Sequence, residues 1–275
     1  MTELQTILLE NMVQFDRLCE KEQLTYYMLG GTMLGAYRHQ GFIPWDDDMD
    51  IGMPRTDYER LLRLSAEKIP DGYEIRHFSK EKNVPYAFAH FENSNTTYIE
   101  ERRSGGGYQG GVYLEIFPLD ETTETNFRSF LMEKKIWFLK KVLYATFIQG
   151  QTGKGRFKQF VINCIGRCTT TDRMVRKLDR ILQRQKGTES YSNYLGHWGS
   201  KETVQKSCFT GGQQQVCRYS FEGKQFCGVA NPKKYLTALY GESFMTPPDK
   251  AEREAGKHPP KYVDFTTSYK TERKK

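Results

Sequence analysis

Gly30-Gly31-Thr32-Met33-Leu34-Gly35-Ala36-Tyr37-Arg38, followed closely by Gly41-Phe42-Ile43-Pro44-Trp45-Asp46-Asp47-Asp48-Met49-Asp50-Ile51, places two signals in succession. The glycine pair ends a short strand candidate, Thr25 to Leu29, and opens a short helix, Thr32 to His39. Downstream, acidic or small residues alternate with apolar ones from Asp48 to Met53, which is a strand pattern. Side chains alternate faces along a strand, so Asp48 and Asp50 share a face about 7 Å apart, while Met49, Ile51 and Met53 turn to a core. Two carboxylates held this way repel each other and resist ionising unless a cation sits between them. Mg²⁺ or Mn²⁺, a hard divalent ion with oxygen ligands and room for substrate phosphates, resolves the conflict. Composition alone would read four aspartates in five residues as a polar turn. The alternation and the glycine pair just upstream favour the strand.

Backbone N–H groups around Gly31, Thr32 and Met33, at a helix start, can receive a phosphate, and glycine lets it approach. Arg38 lies one or two turns further on. It can hold a pyrophosphate bidentately or remain a surface cation. A third acid is supplied by Val112-Tyr113-Leu114-Glu115-Ile116-Phe117, where Glu115 interrupts an apolar strand. Burying a lone carboxylate there is costly unless it is bound to a metal, paired with a base, or at an exposed edge. Lys201 and Arg218 are further phosphate contacts in the same reading, and His39 is an exposed loop residue.

Outward from this segment, residues 3 to 20 show the helical period, with Thr2 as N-cap. A second helix starts at Thr56 or Asp57 and runs to about Lys68. Strands are expected at Tyr73 to His77, Tyr86 to Glu92, Thr96 to Glu100 and Val112 to Phe117. From about Glu124 to Lys186 long basic helical segments are expected, broken near Gly150 to Gly155 and at Thr169 to Asp172. A hairpin turns at Glu222-Gly223, and Pro232 opens a helix to Tyr240. The alternation of elements implies an α/β (α+β) fold. The expected division is a catalytic core over 1–122, a basic helical subdomain over 123–190, and 191–275 completing the catalytic domain, with a loosely ordered tail from about 248.

At 275 residues, with 37% hydrophobic and 27% charged residues, the composition is that of a globular chain. No run has the roughly 18 apolar residues a spanning helix needs. The start, Met1-Thr2-Glu3-Leu4-Gln5, has no basic-then-apolar signal pattern, so a cytoplasmic location is expected, with association to the inner face of a membrane as a variant. Six scattered cysteines are expected to be free thiols. The net charge of +7 concentrates between Lys134 and Lys186. There, Ile136-Trp137-Phe138-Leu139-Lys140-Lys141 mixes bases with large apolar residues, as either a core-facing helix or a peripheral membrane contact.

The quoted segments resemble the LicD family of the nucleotidyltransferase superfamily, to which fukutin-related proteins are distantly related. The resemblance rests on Gly30-Gly31-Thr32, Leu34-Gly35-Ala36-Tyr37-Arg38 and Gly41 through Ile51. It rests further on Glu115-Ile116-Phe117-Pro118-Leu119-Asp120 and, more weakly, on Tyr235 to Tyr240-Gly241 with Met245 and Pro247-Pro248. It implies a nucleotidyltransferase-like mixed sheet with flanking helices and a helical insertion. It also implies a metal on Asp48, Asp50 and Glu115, and substrate contacts from Gly30, Gly31, Thr32, Arg38, Asp46 and Lys201. Glu115 departs from the family, in which aspartate is commoner. The implied donor is CDP-linked, such as CDP-choline. The implied acceptor is a hydroxyl of a teichoic acid, lipopolysaccharide or other surface glycan, free or lipid-linked. The same acids would serve transfer of a polyol phosphate, or nucleotidyl transfer from a nucleoside triphosphate. A basic nucleic-acid-binding module would use the charge but not the acidic strand, and no nucleic-acid motif is present. No nucleic-acid partner is expected.

Overall fold

The computed structural model describes residues 1–82, 84–100, 108–122, 127–147, 164–184, 190–193, 195, 202–205, 216–249 and 260–272. Lys201, Cys208, residues 150–155 and Trp198, which with Tyr37 and Trp45 is an aromatic candidate to cage a choline ammonium, lie outside them. Helix α1 (Glu3–Glu22) starts in a capping box, with the Thr2 hydroxyl accepting from the Gln5 N–H and the Gln5 side chain accepting from the Thr2 N–H. Its buried stripe, Leu8, Met12, Phe15 and Cys19, follows the helical period.

The main path of the sheet has the order β3 (Tyr73–Arg76), β4 (Ala89–Asn93), β6 (Tyr113–Thr122), β2 (Asp50–Pro54), β1 (Tyr27–Met28), β10 (Lys224–Gly228) and β9 (Cys217–Phe221). Pairs β2/β6 and β1/β10 are parallel and the other pairs on this path antiparallel, so the sheet is mixed and the fold is α+β. The far end of β6 pairs antiparallel with β7 (Ser190–Asn193), which pairs in turn with β8 (Glu202–Gln205). Register aligns Arg76 with His90, His90 with Glu115, and Glu115 with Asp50. Directly opposed residues share a face, so these four form one polar row across four strands.

The other face, with Phe91 and Leu114, is covered by α1, where the Phe15 and Phe91 rings are 5.4 Å apart. The polar face is bordered by a second apolar cluster. In it Phe88 and Phe117 pack with Ile136, Leu139, Val142 and Leu143 of α4 (Phe127–Phe147) and with Met174, Val175, Leu178 and Leu182 of α5 (Thr171–Gln183). A hydrogen bond between the Thr146 and Thr171 hydroxyls, 2.8 Å, joins the end of α4 to the start of α5, making an antiparallel pair.

Several boundaries differ from the sequence expectation. Helix α2 (Gly30–His39) begins at the glycines themselves. Strand β2 begins at Asp50 rather than Asp48, because a turn over Ile43 to Asp46 intervenes, the Asp46 N–H donating to the Ile43 carbonyl at 2.9 Å. Helix α3 (Arg55–Leu62) stops short of Lys68, and a 3-10 turn covers Ala66–Lys68. Of the tail beyond 249, residues 260–272 are described. There β11 (Pro260–Asp264) pairs antiparallel with β5 (Thr97–Glu100), and Lys270 reaches Glu74 at 3.1 Å. Its Pro-, Lys- and Glu-rich composition carries no sign of that main-chain pairing. The hairpin at Glu222-Gly223 forms as expected, both residues at positive φ.

Candidate active site

The acids, the glycine turn and the C-terminal helix α6 (Pro232–Tyr240) meet at the start of β2. Gly30 adopts φ +50°, and a Cβ there would lie 3.0 Å from Asp50 Oδ2. A Cβ on Gly31 would lie 2.8 Å from Asp46 Oδ2. The two glycines thus let two carboxylates approach the first turn of α2, whose early N–H groups have no partner within the helix. The Gly30 N–H is taken by the Tyr235 hydroxyl at 2.9 Å. Thr32 is buried, and its hydroxyl accepts from the Asp50 N–H at 2.8 Å. Its side chain fixes the strand start to the helix.

Asp46, Asp47 and Asp48 lie in the segment before β2, all partly buried, and their ligand oxygens come within 4.8 Å of one another. The segment is held from α1: the Gln5 amide donates to the Asp46 carbonyl at 3.0 Å. Met49 is fully buried between Asp48 and Asp50. The Met49 carbonyl accepts from the Glu115 N–H at 3.1 Å, so the ladder to β6 starts one residue before β2.

Of the expected acids, Asp48 is in the compact group, while Asp50 and Glu115 are neighbours in register. Asp47 and Glu100 were not singled out from the sequence. Burial foremost, then the charges of Asp46, Glu115, Asp47 and Glu100, drives the Asp48 carboxyl well above the usual range. Asp46 is pushed up to about 7 by burial and by Asp47, with Arg38 opposing. Without a counter-ion this is a site of concentrated, unfavourable negative charge.

Arg38 is electrostatically coupled to Asp46. Its Nη1 donates to the Phe244 carbonyl at 2.8 Å and its Nε to His39 Nε2 at 2.9 Å. The weak C-terminal motif thereby acquires a physical role: α6 and the turn after it brace the glycine turn and Arg38. Arg218 is not at the site. It pairs with Asp16 at 2.6 Å and Glu20 at 3.0 Å, so two acids of α1 take up its charge and tie β9 to that helix. Trp45 packs partly buried against the main core, and the Tyr37 ring lies 6.0 Å from that of Phe244.

Sequence reasoning also missed His90. It is fully buried, with ring centroids 3.7 Å from Tyr86 and 3.9 Å from Tyr113 in near-parallel stacks, and its Nε2 lies 3.9 Å from Glu115 Oε1. A single histidine inside an aromatic-rich strand gives no signal of that position until the strand order is known. Asp120, part of the second motif, is taken up by Arg55 at 2.7 Å. Cys19, Cys164, Cys168, Cys217 and Cys227 are free thiols.

Residues 23–147 match the family model described as LicD/FKTN/FKRP, nucleotidyltransferase domain. Over 269 residues, 91% of this chain and 94% of the relative, the sequence is 24% identical to the lipopolysaccharide cholinephosphotransferase LicD of Haemophilus influenzae. It is 31% identical over 80 residues to the human ribitol 5-phosphate transferase FKRP, 29% of this chain and 16% of the relative. An uncharacterized Rickettsia typhi protein is 42% identical over 60 residues, 22% of this chain and 19% of the relative.

Proposed function

From the match of residues 23–147 to the LicD/FKTN/FKRP family model we propose that the chain is a phosphotransferase of that family, moving phosphocholine from CDP-choline to a hydroxyl of a cell-surface glycan precursor. The observation that carries this reading is the group of Asp46, Asp47 and Asp48, with oxygens within 4.8 Å, set against a glycine-led helix start. Similarity along 94% of a lipopolysaccharide cholinephosphotransferase supports the choice of group and acceptor.

The donor set is all hard oxygen, and its mutual repulsion is what a divalent cation relieves, so Mg²⁺ or Mn²⁺ fits. Asp46, Asp47 and Asp48 would hold it, with Asp50 and Glu115 beside them. When bound, such an ion supplies neutralisation of charge on the phosphate oxygens. The N–H groups of Gly31 and Thr32 receive a donor phosphate at the helix N-terminus. Arg38 adds a positive charge at the same end, and Lys201 is assigned as a further phosphate contact. Glu115 takes the proton of the attacking hydroxyl as its oxygen bonds to the phosphocholine phosphorus. The bond from that phosphorus to the bridging oxygen breaks, and CMP leaves with the electron pair. The products are a glycan phosphodiester and CMP. A CDP-linked donor sets the reaction on the cytoplasmic side, and the acceptor is free or lipid-linked.

The similarity to a ribitol 5-phosphate transferase favours a second reading, in which the group moved is a polyol phosphate. Incubation with CDP-choline or CDP-ribitol, Mg²⁺ and glycan precursors separates them by which donor releases CMP. Release of pyrophosphate from a nucleoside triphosphate, with no CMP from either donor, would overturn both.

A further inference from the structure

Helix α4 is apolar on two opposite sides. One side seats Ile136, Leu139, Val142 and Leu143 in the cluster with Phe88 and Phe117. The other side presents Leu131, Trp137 and Phe138, which are 51%, 39% and 39% exposed. Lys134 and Lys135 are exposed among them, since residues three, four and seven apart share a helix face. The Lys141 ammonium lies 5.7 Å from the Trp137 ring centroid. The paired helix α5 turns Arg173, Lys177 and Arg180 outward, while Arg176 reaches the Phe78 carbonyl. Over 127–147 and 164–184 together, eleven basic residues stand against three acidic ones.

Large exposed apolar side chains rimmed by predominantly basic charge, with Glu133 among the bases, define the class of partner. A second copy across a two-fold axis would set lysines against lysines. Nucleic acid would use the bases but leave Leu131 without an apolar contact. We propose that the outer face of α4 docks on an anionic lipid surface. The lysines meet acidic headgroups, and Leu131, Trp137 and Phe138 enter the boundary between headgroups and acyl chains. Among the described residues no helix is long and apolar enough to cross a membrane, so the contact is peripheral. The inner side of α4 seats on Phe117, which shares its sheet face with Glu115 two residues away, so docking holds the acid cluster beside the membrane. This contact goes beyond the transfer chemistry and does not depend on it.

The test is co-sedimentation of the full chain with phosphatidylcholine vesicles, with and without phosphatidylglycerol. The chain is expected to pellet with the anionic vesicles only and to be released by added salt. Trp137→Glu/Phe138→Glu and, separately, Lys134→Glu/Lys135→Glu are expected to lower vesicle affinity roughly tenfold or more. Neither should change the melting temperature or CMP release with a soluble acceptor. Should the first variant fold poorly, Phe138→Ser and the salt dependence of the unaltered chain carry the same test. Lack of sedimentation with anionic vesicles, or variants that sediment equally, would overturn the proposal. So would a dimer, or a retained RNA, that Trp137→Glu/Phe138→Glu abolishes in place of vesicle binding. A chain that binds vesicles but releases no CMP upholds docking and removes only the transfer reading.

Discussion

One methyl group placed at residue 31 would meet the Asp46 carboxylate at 2.8 Å. The atom that must give way is the end of a side chain, so Gly31→Ala should leave the melting temperature nearly unchanged. It should still lower turnover by roughly a hundredfold, the scale of a displaced reacting group; turnover within a factor of about two would show that Asp46 has no exact placement to lose. The same carboxylates set a pH dependence. Folding raises the Asp46 carboxyl to about 7 and raises Asp48 as well, through burial first and neighbouring carboxylates second. A raised carboxyl favours the folded state while protonated, so this contribution is present at low pH and is lost as pH climbs through about 7. Metal-free protein should therefore melt at lower temperature at about pH 8 than at about pH 5, and Mg²⁺ should restore more at the higher pH. Asp48→Asn should abolish most of that Mg²⁺ increment together with CMP release; an increment equal at both pH values and retained in the variant would place the ion elsewhere. Alternation is a local property, so the sequence made β2 legible through Asp50 and the buried Ile51 and Met53, although Asp48 lies just before the strand. It did not single out Asp47 or the closeness of Asp46 to Gly31, which depend on a turn held by Gln5, 41 residues away from Asp46.

Helix α3 and strand β6 are joined to α5 by Arg55, which donates to both carboxylate oxygens of Asp120, at 2.8 and 2.7 Å, and to Asp179 at 3.0 Å. Asp120 therefore serves the helical pair, although its motif begins with the site residue Glu115. Asp120→Ala leaves a mostly buried guanidinium without its main partner and should cost about 3 kcal/mol in a urea unfolding experiment. The Mg²⁺-induced thermal shift should survive it. If that shift is lost as well, the clamp and the acid site are one unit. At α6, Tyr235→Phe removes the acceptor of the Gly30 N–H and should cost about 1 kcal/mol, with a larger fractional loss in turnover than in stability. Most elements were legible because capping, period and turn residues agree, as at Thr2 and Glu222-Gly223. What lay hidden was the pairing of elements far apart in sequence, above all Arg55 with Asp179 and Arg38 with the Phe244 carbonyl, which local pattern does not encode.

Across the whole molecule, the sheet order places β6, with Glu115, beside β2, and sets β10 next to the two-residue β1. The polar row from Arg76 to Asp50 belongs to one face, and the α4–α5 pair borders it. The sequence suggested a basic helical insertion but could not say which side of the sheet it covers. That answer came from Phe117 sharing a side with Glu115. The order of the chain has a temporal consequence as well. Gly30 waits 205 residues for Tyr235, and Arg38 waits 206 for Phe244. A ribosome thus finishes every carboxylate of the cluster early and the brace of its glycine turn late. The bends that carry Gly30 and Arg38 therefore gain their last contacts only when nearly the whole chain has been made.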